Sequence, residues 1–257
     1  MDHVPWLAAF EDNPMKQKIN ELKPPTKSTG DVAHSLMKAG LGSIPLLGAT
    51  TAELFQLFMQ PPIERRRDEW MHNVGEQLRL LEMNHGVSLE DLQQNDEFID
   101  TVMQATQVAM RNSQQDKRQA LQNAIANSAL PHSPDEADRQ LFLDLIDRFT
   151  VWHLHILKLF DDPPAWFEAN NKTPKSYHAA SLSTVLHEAY PELADRRDLY
   201  DQIWKELHVS GLTNTPSLHG TMSGSGLMEK RTTSRGQAFI RFITDPIAES
   251  DGKINET

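Results

Sequence analysis

Apolar residues along this chain recur at spacings of three and four far more often than they alternate, and that period predicts helices. Met71, Val74, Leu78 and Leu81 mark a helix over Ile63 to His85, with Gly86 as its stop. Ser88, three residues before Asp91, starts a short turn. Asn95 opens a further helical run through Phe98, Val102, Thr106, Ala109 and Met110, and Asp116 to Ala129 repeats the period through Ala120, Leu121, Ala124 and Ile125. The strongest periodicity lies between Pro134 and Pro163. There Leu141, Leu145, Ile146, Phe149, Trp152, Ile156, Leu157 and Phe160 form one broad apolar face, and the pattern predicts a single long helix. Two shorter helices follow, Ser181 to Tyr190, stopped by Pro191, and Asp195 to His208, with Leu199, Ile203, Trp204 and Leu207 facing inward.

The ends of the chain differ in kind. Residues 1–30 mix prolines with polar residues and read as a flexible arm. From Asp31 a helix runs until Gly40 and Gly42 interrupt it. After Pro45 an apolar helix over Leu46 to Met59 is expected to close at Gln60-Pro61-Pro62, because proline cannot donate to the helical ladder. Beyond His208 the chain is rich in Gly, Ser and Thr. Short apolar pieces around SGSG at 223–226 suggest a β-hairpin, and Thr233 caps a last helix carrying Ala238, Phe239 and Phe242. The expected fold is therefore mainly α. It comprises a helical bundle over 31–160, a small winged-helix-like module with a short β-hairpin over 161–248, and a disordered tail over 249–257.

Composition sharpens this picture mostly by exclusion. A net charge of −11 on 257 residues disfavours non-specific nucleic-acid binding, which requires a surplus of Lys and Arg. Cysteine is absent, which removes disulfides, thiolate catalysis and Cys-ligated zinc and fits a reducing cytoplasm. The N-terminus shows no basic stretch followed by an apolar run, so no secretory signal is expected.

Three runs carry a resemblance: IPLLGATTAELFQLFMQPPIERRRDEW, DKRQALQNAIANSALPHSPDEADRQLFLDLIDRFTVWHLHILKLFDDP and GLMEKRTTSRGQAFIRFI. They resemble a group of uncharacterised bacterial proteins with a helical N-terminal part and a winged-helix-like C-terminal part. More loosely, the glycine-apolar-PP-basic pattern is similar to the abortive-infection alpha family, for which a role in phage resistance is suggested. The resemblance implies a layout and a setting. It transfers no catalytic residue and no cofactor.

The candidate chemistry is one of surfaces. From Ala39 to Ile63 the only charged residue is Glu53, yet glycines and Pro45 interrupt the segment, which argues against a simple membrane span. As a helix it places Leu47, Leu54, Leu57 and Phe58 near one face with Phe55 beside them, followed by Arg65, Arg66 and Arg67. Such a face can bury in the bundle, enter a partner's groove, or lie on an anionic membrane surface. Acidic neighbours Glu64, Asp68 and Glu69 make a solvated mixed-charge face the simpler reading of the arginines. His153 and His155 stand two apart, on opposite sides of a helix, and cannot share one metal from one face; His153 reads as a buried or interfacial histidine with a satisfied hydrogen bond. Asp144, Asp147, Asp161 and Asp162 flank the same helix, but acid–base work needs two carboxylates converging on a cleft, which sequence does not show; DDPP reads more simply as a helix terminus, and SGSG lacks the lysine of a phosphate loop. No catalytic or metal residue is assigned. Lys230, Arg231 and Arg235 could place a positive strip over a phosphate backbone if the C-terminal module binds DNA, although DRRDLYDQIWKELHVSG, where a recognition helix would sit, carries as many acids as bases. The expectation is a non-enzymatic interaction or effector protein with a protein partner or a second copy of itself. A DNA-binding regulator is the alternative, and no small-molecule substrate is inferred.

Overall fold

The computed structural model describes residues 51–247; the side chains of 51–55, 57, 58 and 61 fall outside that description. The arm over 1–30, the helix from Asp31, the position of Leu47 and the tail over 249–257 therefore lie outside the described residues. The chain divides into two compact units, Met1–Met59 and Gln60–Thr257.

The described residues form eleven α-helices and one two-stranded antiparallel sheet, so the protein is mainly α. In chain order the helices begin with α1 (Thr51–His85), α2 (Leu89–Leu92), α3 (Asp96–Arg111), α4 (Gln115–Ser128), α5 (Glu136–Arg148), α6 (Val151–Asp161) and α7 (Pro163–Ala169). Strand β1 (Ala179–Ser181) leads into α8 (Leu182–Ala189) and α9 (Arg197–Val209); β2 (Thr221–Ser223), α10 (Gly224–Leu227) and α11 (Ser234–Ile243) complete the fold.

Several helix starts follow from short polar side chains. Ser88, Asn95, Asp135, Asp162, Ser223 and Thr233 each accept a hydrogen bond from a backbone N–H three residues on. Each satisfies one of the donors that a helix N-terminus leaves open. Asp162 caps α7, and Pro163 occupies its first turn, where a missing N–H costs nothing. The DDPP run thus ends one helix and begins another.

Three expectations are corrected. First, Pro61-Pro62 does not close a helix: α1 runs through both prolines from Thr51 to His85. The lost donors interrupt the ladder for one turn only, and Gln60 spans that turn by donating from Nε2 to Glu64 Oε1 at 2.8 Å. Second, the long helix between Pro134 and Pro163 is two helices, α5 and α6, broken at Phe149 and Thr150, both extended at ψ 143 and 166. The Thr150 N–H leaves the ladder and donates to His153 Nδ1 at 3.1 Å. Apolar periodicity persists across the break because both helices face the same core, although Leu141 is 47% exposed. Third, there is no hairpin around SGSG. Thr221–Ser223 pairs with Ala179–Ser181, in the register Ala179↔Ser223, Ala180↔Met222 and Ser181↔Thr221, and Gly224 turns at once into α10. A Cβ on Gly224 would lie 2.0 Å from the Tyr177 carbonyl oxygen, so this crossing requires glycine.

Among the described residues of the second unit, one buried cluster runs from Trp70 through to Ile243. Helix α4 packs against α3, α5 and α11, while α6 packs against α7, α8, α9 and α11. Helix α11 therefore joins the two groups. Its Phe239 and Phe242 meet Phe142 of α5 at ring-centroid distances of 5.4 and 5.6 Å. Its C-terminal carbonyls are held by α4: Asn127 Nδ2 lies within hydrogen-bond reach of the carbonyls of Arg241, Phe242 and Thr244, among which it shares its two N–H groups, and Asn123 Nδ2 donates to that of Ile243 at 2.9 Å. A buried amide on a neighbouring helix thus does what a terminal glycine or solvent does elsewhere.

Candidate functional site

The arginine triplet sits on α1 where that helix meets the bundle. Arg66 turns inward and its Nη1 reaches the Met110 carbonyl at 3.4 Å, close to the end of α3. Arg65 faces Glu69 at 3.7 Å and Arg67 faces Asp68 at 3.4 Å, both exposed, while Glu69 also meets Arg118 at 3.4 Å. The three cations therefore do not converge. One is a packing strut, and two are solvated members of mixed-charge pairs of small energetic weight.

The apolar stripe of α1 extends further than its cover. Trp70, Val74 and Leu81 are 2%, 9% and 0% exposed, and Trp70 Nε1 donates to Thr106 on α3 at 3.0 Å. Ile63, seven residues before Trp70 and hence on the same side of the helix, is 43% exposed. Met59 is 42% exposed. Leu54, Phe55, Leu57 and Phe58 belong to the helical run of α1, but their side chains lie outside the described residues. Among the described residues no helix is long and apolar enough to cross a membrane.

The C-terminal basic residues serve the fold. Arg231 points inward, donating to the Gly226 carbonyl and to Met222 Sδ at 3.3 Å, and its backbone N–H reaches the Phe160 carbonyl at 2.8 Å. Lys230 lies 3.5 Å from Asp161, and Arg235 lies 3.3 Å from Asp138. Thr232 also donates to Asp161, at 2.5 Å, which fastens this segment to the end of α6. A strip over phosphates would have to compete with these carboxylates.

His153 is 3% exposed and stacks on Phe149 with ring centroids 4.5 Å apart. Because Nδ1 accepts the Thr150 N–H, the ring carries its proton on Nε2 and donates to Glu206 Oε2 at 2.9 Å. Burial holds its pKa below the ordinary value, with Glu206 acting partly against it. Glu206 is itself held low, chiefly by the Gln202 amide and then by His153. Both ring nitrogens are used, so the ring ties α6 to α9. His155 faces elsewhere, with Nε2 2.8 Å from Asp116.

Sequence periodicity gave no sign of two features. Val209, at the end of α9, is 78% exposed and lies with Leu141 and Arg148 along a groove of about 540 Å³ between α5 and α9. A cleft of about 550 Å³ lies beneath the 171–178 segment. Both form between segments distant in the chain, and only the run of polar and proline residues over 170–176 hints at the second. The chain matches no family model, no curated protein and no solved structure.

Proposed function

We propose that the protein is a non-enzymatic interaction protein and that α1 is the element a protein partner, or a second copy of the chain, engages. The observation that carries this reading is Ile63. It continues the stripe of Trp70, Val74 and Leu81 yet stays 43% exposed, where the bundle's cover has run out. A helix face that is apolar and half-covered is suited to bury against another helix or groove. The flanking arginines favour a protein surface over an anionic membrane, because Arg65 and Arg67 already have carboxylate neighbours. A cytoplasmic effector role in phage resistance is the setting that the resemblance to abortive-infection proteins supplies. A trigger that releases the Leu46 to Met59 segment to a partner groove or a membrane surface is the conditional form of this proposal.

The test is association of the full chain measured by analytical ultracentrifugation, alone and with host extract fractions, for wild type and Ile63→Glu. A complex present in wild type and lost in the variant is the expected result. If wild type sediments as a monomer in every fraction, the reading fails. If it sediments instead with anionic vesicles, the membrane version replaces it. The winged-helix reading of 161–248, with DNA contacts from Lys230, Arg231 and Arg235, is the lesser proposal, since each of these cations has a partner within the fold. A gel shift with steep salt dependence would restore it.

A further inference from the structure

The cleft beneath the 171–178 segment has a chemistry that the helix surfaces lack. Its wall is formed by that segment and by α8, with Phe167 and Pro191 supplying apolar surface. Among the lining residues the one carboxylate is Glu188, and both of its oxygens are already engaged: Oε1 accepts from the Tyr177 hydroxyl at 2.5 Å and Oε2 from the Lys175 backbone N–H at 3.0 Å. These two bonds fix the loop over α8; because both donors are neutral, Glu188 keeps its charge, and the cleft's two ammonium groups outnumber it.

What remains is a set of donors. Lys172 spends one N–H on the Ala189 carbonyl at 2.6 Å and lies 5.5 Å from the Trp166 ring centroid, so its ammonium is held in place with donors to spare. Among the described residues the Lys175 ammonium and the Thr173 hydroxyl have no hydrogen-bond or ion-pair partner. His187 also lines the cleft, but its Nε2, buried and without a partner, is shielded from the cleft's open space. Two ammonium groups and a hydroxyl, all on exposed residues along one cleft, form the complement of an oxyanion. The cavity, at about 550 Å³, is of small-molecule size and exceeds what a bare inorganic ion fills.

We infer that this cleft binds a small organic anion, its phosphate or carboxylate group placed between Lys172 and Lys175 and its apolar part against Phe167 and Pro191. The site is independent of the α1 surface. The test is a titration of the full chain at constant ionic strength with phenyl phosphate, benzoate and inorganic phosphate, followed by amide and Trp166 indole NMR shifts. Phenyl phosphate or benzoate should saturate, more tightly than inorganic phosphate, with shifts confined to 166–191. Lys175→Ala should weaken that binding about tenfold, and Arg148→Ala, outside the cleft, should leave it unchanged. The inference is overturned if no organic probe saturates, if Lys175→Ala binds as well as wild type, or if Arg148→Ala weakens binding equally, which would mark general charge attraction.

Discussion

Helices α6 and α1 both carry apolar stripes, and the stripes have opposite fates. In the eleven residues of α6, His153, Leu154, Ile156, Leu157, Leu159 and Phe160 are buried, leaving little of its circumference to solvent. In the 35 residues of α1, Trp70, Val74 and Leu81 are the buried apolar side chains among those described. Helix α6 is the more apolar of the two, and it is also the more enclosed. Helix α6 is surrounded by α7, α8, α9 and α11, whereas Trp70 and Arg66 of α1 both meet α3. A short helix enclosed on several sides anchors the fold; a long helix covered along part of one stripe is left with surface to offer.

The contrast breaks most sharply at Phe160, fully buried and 5.0 Å from the Trp204 ring. Phe160→Ala should cost about 3–5 kcal/mol in urea unfolding, through lost transfer energy and the cavity left behind. A loss under 1 kcal/mol would mean that α6 is not the anchor. Next is the amide that holds α11 in place beside it. Asn127→Ala leaves several carbonyls of α11 without their donor and should cost roughly 1–3 kcal/mol, seen as a lower urea midpoint at unchanged slope.

Acid should reach α6 before it reaches α1. His153 titrates below its usual 6.5 in the fold, so from about pH 6.5 downward the unfolded chain takes up a proton that the folded chain resists, and stability falls. Glu206, held below 4.5, adds a further loss in the same direction as pH drops through its own lowered value. Stability measured from pH 7 to 5 should therefore decline less steeply in His153→Gln than in wild type. The smallest effect belongs to α1. Ile63→Ser should change stability by no more than about 0.5 kcal/mol, because that side chain has little cover to lose. An equal cost at Ile63 and Trp70 would erase the distinction between the two helices.

Much of this architecture was legible in the sequence. The helix starts at Asn95 and Thr233, and the stop at Gly86, are local events written in one or two side chains. The inward positions Ile203, Trp204 and Leu207 of α9 were also visible, since an amphipathic helix declares its own face. The break at Thr150 was hidden because its signal is a His three residues on, where Glu or Gln is the usual partner. The strand pairing was hidden for another reason. Its two strands have three residues each and lie forty positions apart, too short for a period and too distant for a turn signal. The candidate sites were the least legible part. The arginine triplet is obvious in sequence, but only coordinates show Arg66 turned inward, and neither the cleft nor the groove has a linear signature.

The clasp between α4 and α11 also has a consequence in time. Asn123 and Asn127 leave the ribosome more than a hundred residues before the carbonyls they hold, since the contacts span 120 and 114 to 117 positions. During translation α4 must wait with its inner face incomplete while α5 to α10 emerge, and such long-range closure is intrinsically slow. The nascent chain is therefore most open to chaperones and proteases in that interval, and α11, made long after α4, is the stretch that shuts the interior.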